Sequence, residues 1–108
     1  MNNLQLHSLL LRSCEVGTAG ISAMCGTQSV LTELDVSSCP RITDTTLICI
    51  CTGLLKLRRL SLRNCRAVSN EGISLLNELA FLEHIDLQGL EKVTSAGLSN
   101  ITFLYYKQ

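Results

Sequence analysis

The sequence predicts an α/β solenoid: a right-handed β/α superhelix of about four strand-turn-helix repeats whose strands form one parallel, concave sheet. Three observations carry this. The pattern Leu-x-x-Leu-x-Leu-x-x-Cys opens at Leu6 and returns three times, and each copy is followed by apolar residues at helical rather than strand spacing. The chain is also 46% hydrophobic with no tryptophan and only two phenylalanines, so its core has to be aliphatic.

Leu6, Leu9, Leu11 and Cys14 fill the fixed positions of the first copy, and Leu31, Leu34, Val36 and Cys39 those of the second. Leu57, Leu60, Leu62 and Cys65 fill the third, and Leu82, Ile85, Leu87 and Leu90 the fourth. Successive copies start 25, 26 and 25 residues apart, which divides a single array over 1–108 into repeats at about 6–30, 31–56, 57–81 and 82–108. Side chains alternate along a strand, so the fixed leucines point into the stack and the residues between them face the concave side. Each unit needs its neighbours to bury its apolar face.

The second half of each unit recurs as well, at Val16 to Ile21, Ile42 to Leu47, Val68 to Ile73 and Val93 to Leu98. Offsets of three, six or seven then place Ile21 with Met24, Leu47 with Ile50 and Leu54, Ile73 with Leu76 and Leu79 or Ala80, and Leu98 with Ile101, each set on one helix face. Thr43, Ser69 and Thr94 stand where an N-cap hydroxyl can accept a free amide of the first helical turn.

These residues resemble the cysteine-containing leucine-rich repeats of F-box substrate receptors and antagonist-of-mitotic-exit-network proteins. That pattern continues Cys-x-x-Ile-Thr-Asp-x-Gly-Leu, and Leu31 to Leu47 follows it with Thr46 where glycine is usual. The third copy has Val68-Ser69-Asn70 and keeps Gly72-Ile73. The first copy is one residue short between Cys14 and Gly20, and the fourth has Leu90 in place of the cysteine. The resemblance implies a leucine-rich repeat solenoid and a protein-interaction role, plausible as the substrate-recognition part of an F-box-type ubiquitin-ligase receptor or as an adaptor-free regulator. The five residues before the first repeat leave no room for an F-box, so ligase recruitment is not carried over. The alternative is a structural segment of a longer solenoid with no binding site of its own.

Nine basic and nine acidic residues cancel, which argues against nucleic acid or an anionic membrane as partner. No apolar run approaches the ~18–20 residues of a membrane span. Met1 to Leu11 lacks a basic, small-residue-terminated leader, and the expected compartment is cytoplasm or nucleus. Six cysteines are then expected as free thiols, with Cys14, Cys39 and Cys65 in a buried ladder where the chain leaves each strand. Cys49-Ile50-Cys51 lacks the spacing and the second pair of a structural zinc site, and no cofactor or metal is expected. His7 and His84 lie three units apart, away from the ladder thiols, so no catalytic residue is nominated and the chain is expected not to be an enzyme.

The candidate surface for a protein or peptide partner is the concave face, in three lateral rows. They are Ser8, Glu33, Arg59 and His84; then Leu10, Asp35, Ser61 and Asp86; then Arg12, Ser37, Arg63 and Gln88. The partner-binding set is Arg12, Glu33, Asp35, Arg59, Ser61, Arg63, His84, Asp86 and Gln88, with Glu33 expected to meet Arg59 sideways. Leu6, Leu9 and Leu11 are expected to start an unprotected edge. Leu98, Ile101, Phe103, Leu104, Tyr105 and Tyr106 are expected to form an uncovered apolar helix. Both ends therefore suggest a fragment of a longer array, or end-to-end self-association.

Overall fold

The computed structural model describes residues 5–101 and the backbone of residues 105–107. Five parallel strands of three residues each lie side by side in chain order: β1 (Ser8–Leu10), β2 (Glu33–Asp35), β3 (Arg59–Ser61), β4 (His84–Asp86) and β5 (Tyr105–Lys107). Between them the chain returns through α1 (Thr18–Cys25), α2 (Asp44–Gly53), α3 (Asn70–Ser74) with a following 3-10 turn (Leu75–Glu78), and α4 (Ser95–Leu98). The register aligns Leu9, Leu34, Leu60 and Ile85 across the sheet, and the last three are buried.

The core is a set of rows running along the stack. Leu31, Leu57 and Leu82 form one; Val36, Leu62 and Leu87 another; Leu47 and Ile73 cover them from the helical side. In the third unit a 3-10 turn takes over from the α-helix, and its three-residue period keeps Ile73, Leu76 and Leu79 on the buried face.

Beyond each strand the ladder continues for one more bond, from Ser13 N to Ser37 O (2.8 Å), Ser38 N to Arg63 O (2.7 Å) and Asn64 N to Gln88 O (2.9 Å). The donor in each case is a residue in the left-handed region, with φ of 57° at Ser13, 58° at Ser38 and 62° at Asn64; Gly89 also has positive φ, at 80°. This reversal turns the next residue under the sheet. Cys39 and Cys65 are buried there, and each thiol donates to a strand-end carbonyl one unit back, Leu11 O at 2.8 Å and Val36 O at 3.0 Å. A small side chain with a weak donor fits both the space and the acceptor. Burial pushes the Cys65 thiol up to about 11 and the Cys51 thiol to about 12. Cys14, the expected first rung, is only half-buried, and its thiol faces Arg12 O of its own unit at 3.6 Å.

The helical layer is fastened by a second polar ladder. The Asp44 carboxylate accepts from Ser69 N (2.8 Å) and from the Ser69 hydroxyl. One unit on, Asn70 Oδ1 accepts from Thr94 N (3.0 Å) and Asn70 Nδ2 donates to Thr94 Oγ1 (2.9 Å). These side chains lie against glycines: a Cβ would stand 2.2 Å from Asp44 Oδ1 at Gly72 and 2.0 Å from Asn70 Oδ1 at Gly97. Thr46 replaces that glycine in the second unit, where the residue facing it is the shorter Thr18, and their hydroxyls bond at 2.8 Å. Thr46 Oγ1 also accepts from Thr43 N (3.0 Å) while Thr43 Oγ1 accepts from Thr46 N (3.4 Å), a reciprocal capping box.

Several expectations are corrected. Thr94 holds the N-cap position of α4 without a side-chain cap, since its hydroxyl is taken by Asn70. The C-terminal apolar helix is not formed: Tyr105–Lys107 is a strand paired in parallel with β4, 21 residues after it. Aromatic residues in a short run favour a strand. Phe103 and Leu104, also assigned to that helix, lie outside the described residues.

Candidate partner interface

The concave face is built by the strand register. Ser8, Glu33, Arg59 and His84 are lateral partners, as are Leu10, Asp35, Ser61 and Asp86. Together Glu33, Asp35, Arg59, Ser61, His84 and Asp86 line one shallow open depression whose floor is the strand backbone. Arg12, Ser37, Arg63 and Gln88 form its rim, two residues beyond the strand ends.

The rim of each unit bonds diagonally to the strand of the next. Arg12 Nε donates to Asp35 Oδ2 at 2.7 Å, the hydroxyls of Ser37 and Ser61 meet at 2.8 Å, and Arg63 Nη1 donates to Asp86 Oδ2 at 3.5 Å. Asp35 is the best enclosed of these groups, 8% exposed, and also accepts from Ser37 N (2.9 Å) and the Ser37 hydroxyl. Burial alone would raise its pKa, but the Ser37 and Arg12 hydrogen bonds outweigh that and hold the carboxyl below its usual range. Asp86 repeats the arrangement more openly, accepting from Gln88 N at 3.0 Å.

The nine candidate residues therefore divide. Arg12, Asp35, Ser61, Arg63 and Asp86 spend hydrogen-bonding capacity on neighbouring units, and Asp35 is too enclosed to serve as an open anchor. The expected Glu33 to Arg59 pair is not formed: Glu33 Oε1 instead accepts from Ser8 Oγ at 2.9 Å. Two long flexible side chains on the wet face gain little from an ion pair there. The Arg59 side chain, exposed at the centre of the depression beside half-buried His84, has no hydrogen-bond or ion-pair partner among the described residues. The diagonal bonds escaped the sequence reading, although Arg12 to Asp35 and Arg63 to Asp86 share an offset of 23 residues. The remaining ion pairs, Arg58 with Glu83 at 3.3 Å and Arg66 with Glu91 at 3.5 Å, are well exposed and lie outside the depression.

Residues 2–25, 27–51 and 54–76 each match the family model described as Leucine Rich repeat, together about two thirds of the chain. The chain belongs to the leucine-rich repeat family. Each matched stretch holds one strand and all or most of the helix after it, so each corresponds to one strand-turn-helix unit. No match was found among curated proteins. Leucine-rich repeats generally serve protein–protein interaction, and a stacked parallel sheet with one open face is the surface such repeats offer. Among the described residues no group of three or more His, Cys, Asp or Glu side chains could hold a metal ion, and no helix is long and apolar enough to cross a membrane.

Proposed function

We propose that this leucine-rich repeat array is a non-enzymatic recognition module that holds an extended protein segment across its concave face. The observation carrying this is Arg59, a guanidinium without a partner among the described residues, in the middle of a depression whose rim arginines, Arg12 and Arg63, are paired. A planar, always charged fork bonds a carboxylate or backbone carbonyls well, and leaving it unpaired costs little while water solvates it. Half-buried His84, the lateral partner of Arg59 on the neighbouring strand, offers a further polar contact one strand spacing away. The resemblance to F-box-type receptors supports the narrower reading of a substrate-recognition part of a ubiquitin ligase, or an adaptor-free regulator, in cytoplasm or nucleus.

The test is an array of unrelated extended peptides probed with the wild-type chain and with Arg59→Glu. Binders lost on Arg59→Glu but kept by the helix-side substitution Ser74→Ala support concave recognition. Binders indifferent to Arg59→Glu exclude it.

A second reading has its own support. Arg12, Ser37 and Arg63 are all spent on joining successive units, as expected of a segment that only stiffens a longer solenoid. Complete absence of peptide binding would favour it.

A further inference from the structure

The polar side chains of the concave face fall into two tracks. The track along the strand ends is closed by its own diagonal bonds, Arg12 to Asp35, Ser37 to Ser61 and Arg63 to Asp86. The track along the strand starts, with Ser8, Glu33, Arg59 and His84 in lateral register, is closed at one point, where Ser8 Oγ donates to Glu33 Oε1. Among the described residues Glu33 has no cation within ion-pairing distance, and neither the Arg59 guanidinium nor the His84 ring has a hydrogen-bond partner.

The free charges are of opposite sign and stand side by side. Adjacent strands are about 4.8 Å apart, so a lone carboxylate approaching Arg59 also meets the field of Glu33, and a lone ammonium approaching Glu33 meets that of Arg59. Attraction and repulsion then offset each other in part. A ligand gains from both groups only by bringing a cation to Glu33 and an anion to Arg59. His84, on the far side of Arg59 from Glu33, sets where that anion sits. An imidazole donates from a ring nitrogen in either protonation state. A carboxylate bridging Arg59 and His84 therefore lies one and a half strand spacings, roughly 7 Å, from Glu33 along the track. In an extended chain, side chains on one face recur every second residue, roughly 6.8 Å apart, and the two distances match. Adjacent residues point to opposite faces, and residues four apart lie about 13 Å from one another, too far to fit.

We infer that the strand-start track selects an extended segment with opposite charges two residues apart, Lys or Arg against Glu33 and Asp or Glu against Arg59 and His84. This rests on the concave recognition proposed above and names the class of segment bound there. The chain as a whole carries nine acidic and nine basic residues, so the selection is local and owes nothing to long-range attraction.

The experiment titrates the isotope-labelled full chain with short, otherwise uncharged peptides and reads affinity from the NMR shifts of the β2, β3 and β4 amides. One Lys and one Glu are set adjacent, two apart or four apart, in both orders, beside peptides with a single charge or with two like charges two apart. Opposite charges two apart are expected to bind about three- to tenfold more tightly than the rest in at least one order. Glu33→Lys should move the preference to two Glu residues at that spacing, and Arg59→Glu to two Lys residues, with the amide spectrum reporting that each variant is folded. Glu33→Gln, which keeps the side chain's size, should bring the opposite-charge peptide level with the one that carries Glu alone. A Glu-only peptide bound as tightly by the wild type, a preference for another spacing, or a preference that Glu33→Lys leaves in place overturns the inference while Arg59-centred recognition stands. If no peptide shifts the amides of β2 to β4, both fall.

Discussion

Thr18 Oγ1 lies 2.8 Å from Thr46 Oγ1, in the place that Asp44 and Gly72 occupy one unit further along the stack. The two pairs are alternative solutions to one packing problem, a long acceptor against glycine or a short hydroxyl against threonine. Gly72→Ala should therefore be costly, since its Cβ would stand 2.2 Å from Asp44 Oδ1 and displace a carboxylate that holds Ser69. A loss of about 1–3 kcal/mol in urea unfolding is expected, typical of overpacking a tight site. Thr18→Asp alone should destabilise as well, and Thr18→Asp with Thr46→Gly should recover part of that loss. Additive losses in the double variant would show that the pairs are not exchangeable.

The thiols divide by burial. Cys39, Cys51 and Cys65 are enclosed, and burial raises the pKa of each, to about 12 for Cys51 and about 11 for Cys65. A thiol kept neutral at pH 7 is a poor nucleophile. Iodoacetamide labelling of the native protein read by mass spectrometry should modify the half-exposed Cys14 and Cys49 first, and the three enclosed thiols only on unfolding. Early labelling of Cys65 would contradict the packing described.

Much of the architecture was legible because it repeats. The fixed leucines at 31, 34, 57, 60 and 82 are all buried, and the strand register follows from their spacing. What the sequence concealed were contacts crossing from one unit to the next. Arg12 and Asp35 look like two surface charges until the diagonal bond is seen, and the left-handed turns at Ser13 and Ser38 fall on a residue type that does not announce them, unlike Asn64. The C-terminal segment was misjudged because a run such as Phe103 to Tyr106 has no polar residue to reveal its period. The partner-binding role of the face rests on chemistry that no internal repetition encodes.

Gly89 is the one turn position where glycine is demanded twice. Its φ of 80° strains any other side chain, and a Cβ would stand 2.0 Å from Asn64 Oδ1. Gly89→Ala should lower stability by roughly 1–3 kcal/mol. Asn64→Gly should be milder, because it removes a contact of 3.4 Å to Ser38 Oγ while easing the backbone. Equal losses for the two variants in urea unfolding would refute the steric argument.

Arg59→Ala should leave stability within about 0.5 kcal/mol of wild type, the range for a surface residue away from special contacts, since it has no partner among the described residues. Arg12→Ala should differ, because it strips one hydrogen bond from the enclosed Asp35. Thermal unfolding of the two variants side by side separates a residue kept for an outside partner from one that serves the stack. An Arg59→Ala variant as unstable as Arg12→Ala would remove the reason for placing Arg59 in the interface.

Asp35 ties the stack to pH. Its folded-state pKa lies below the ordinary value, so it stabilises the native state fully above the unfolded pKa of about 3.9, and that contribution disappears as pH falls from there through the folded value. Protonation would weaken the bond to Arg12 Nε and those to the Ser37 amide and hydroxyl. Hydrogen bonds to a charged acceptor contribute about 1.5–3 kcal/mol each at most, so Asp35→Asn should lower the urea midpoint clearly at pH 7. The difference from wild type should shrink as pH falls below the unfolded value of about 3.9 and on through the lower folded one, where the native carboxyl becomes neutral. Added salt should weaken the part that depends on Arg12, whose side chain is 67% exposed, and spare the part that depends on Ser37. A difference between Asp35→Asn and wild type that stays constant from pH 7 to pH 3 would mean that packing around residue 35, not its charge, holds the second unit to the first.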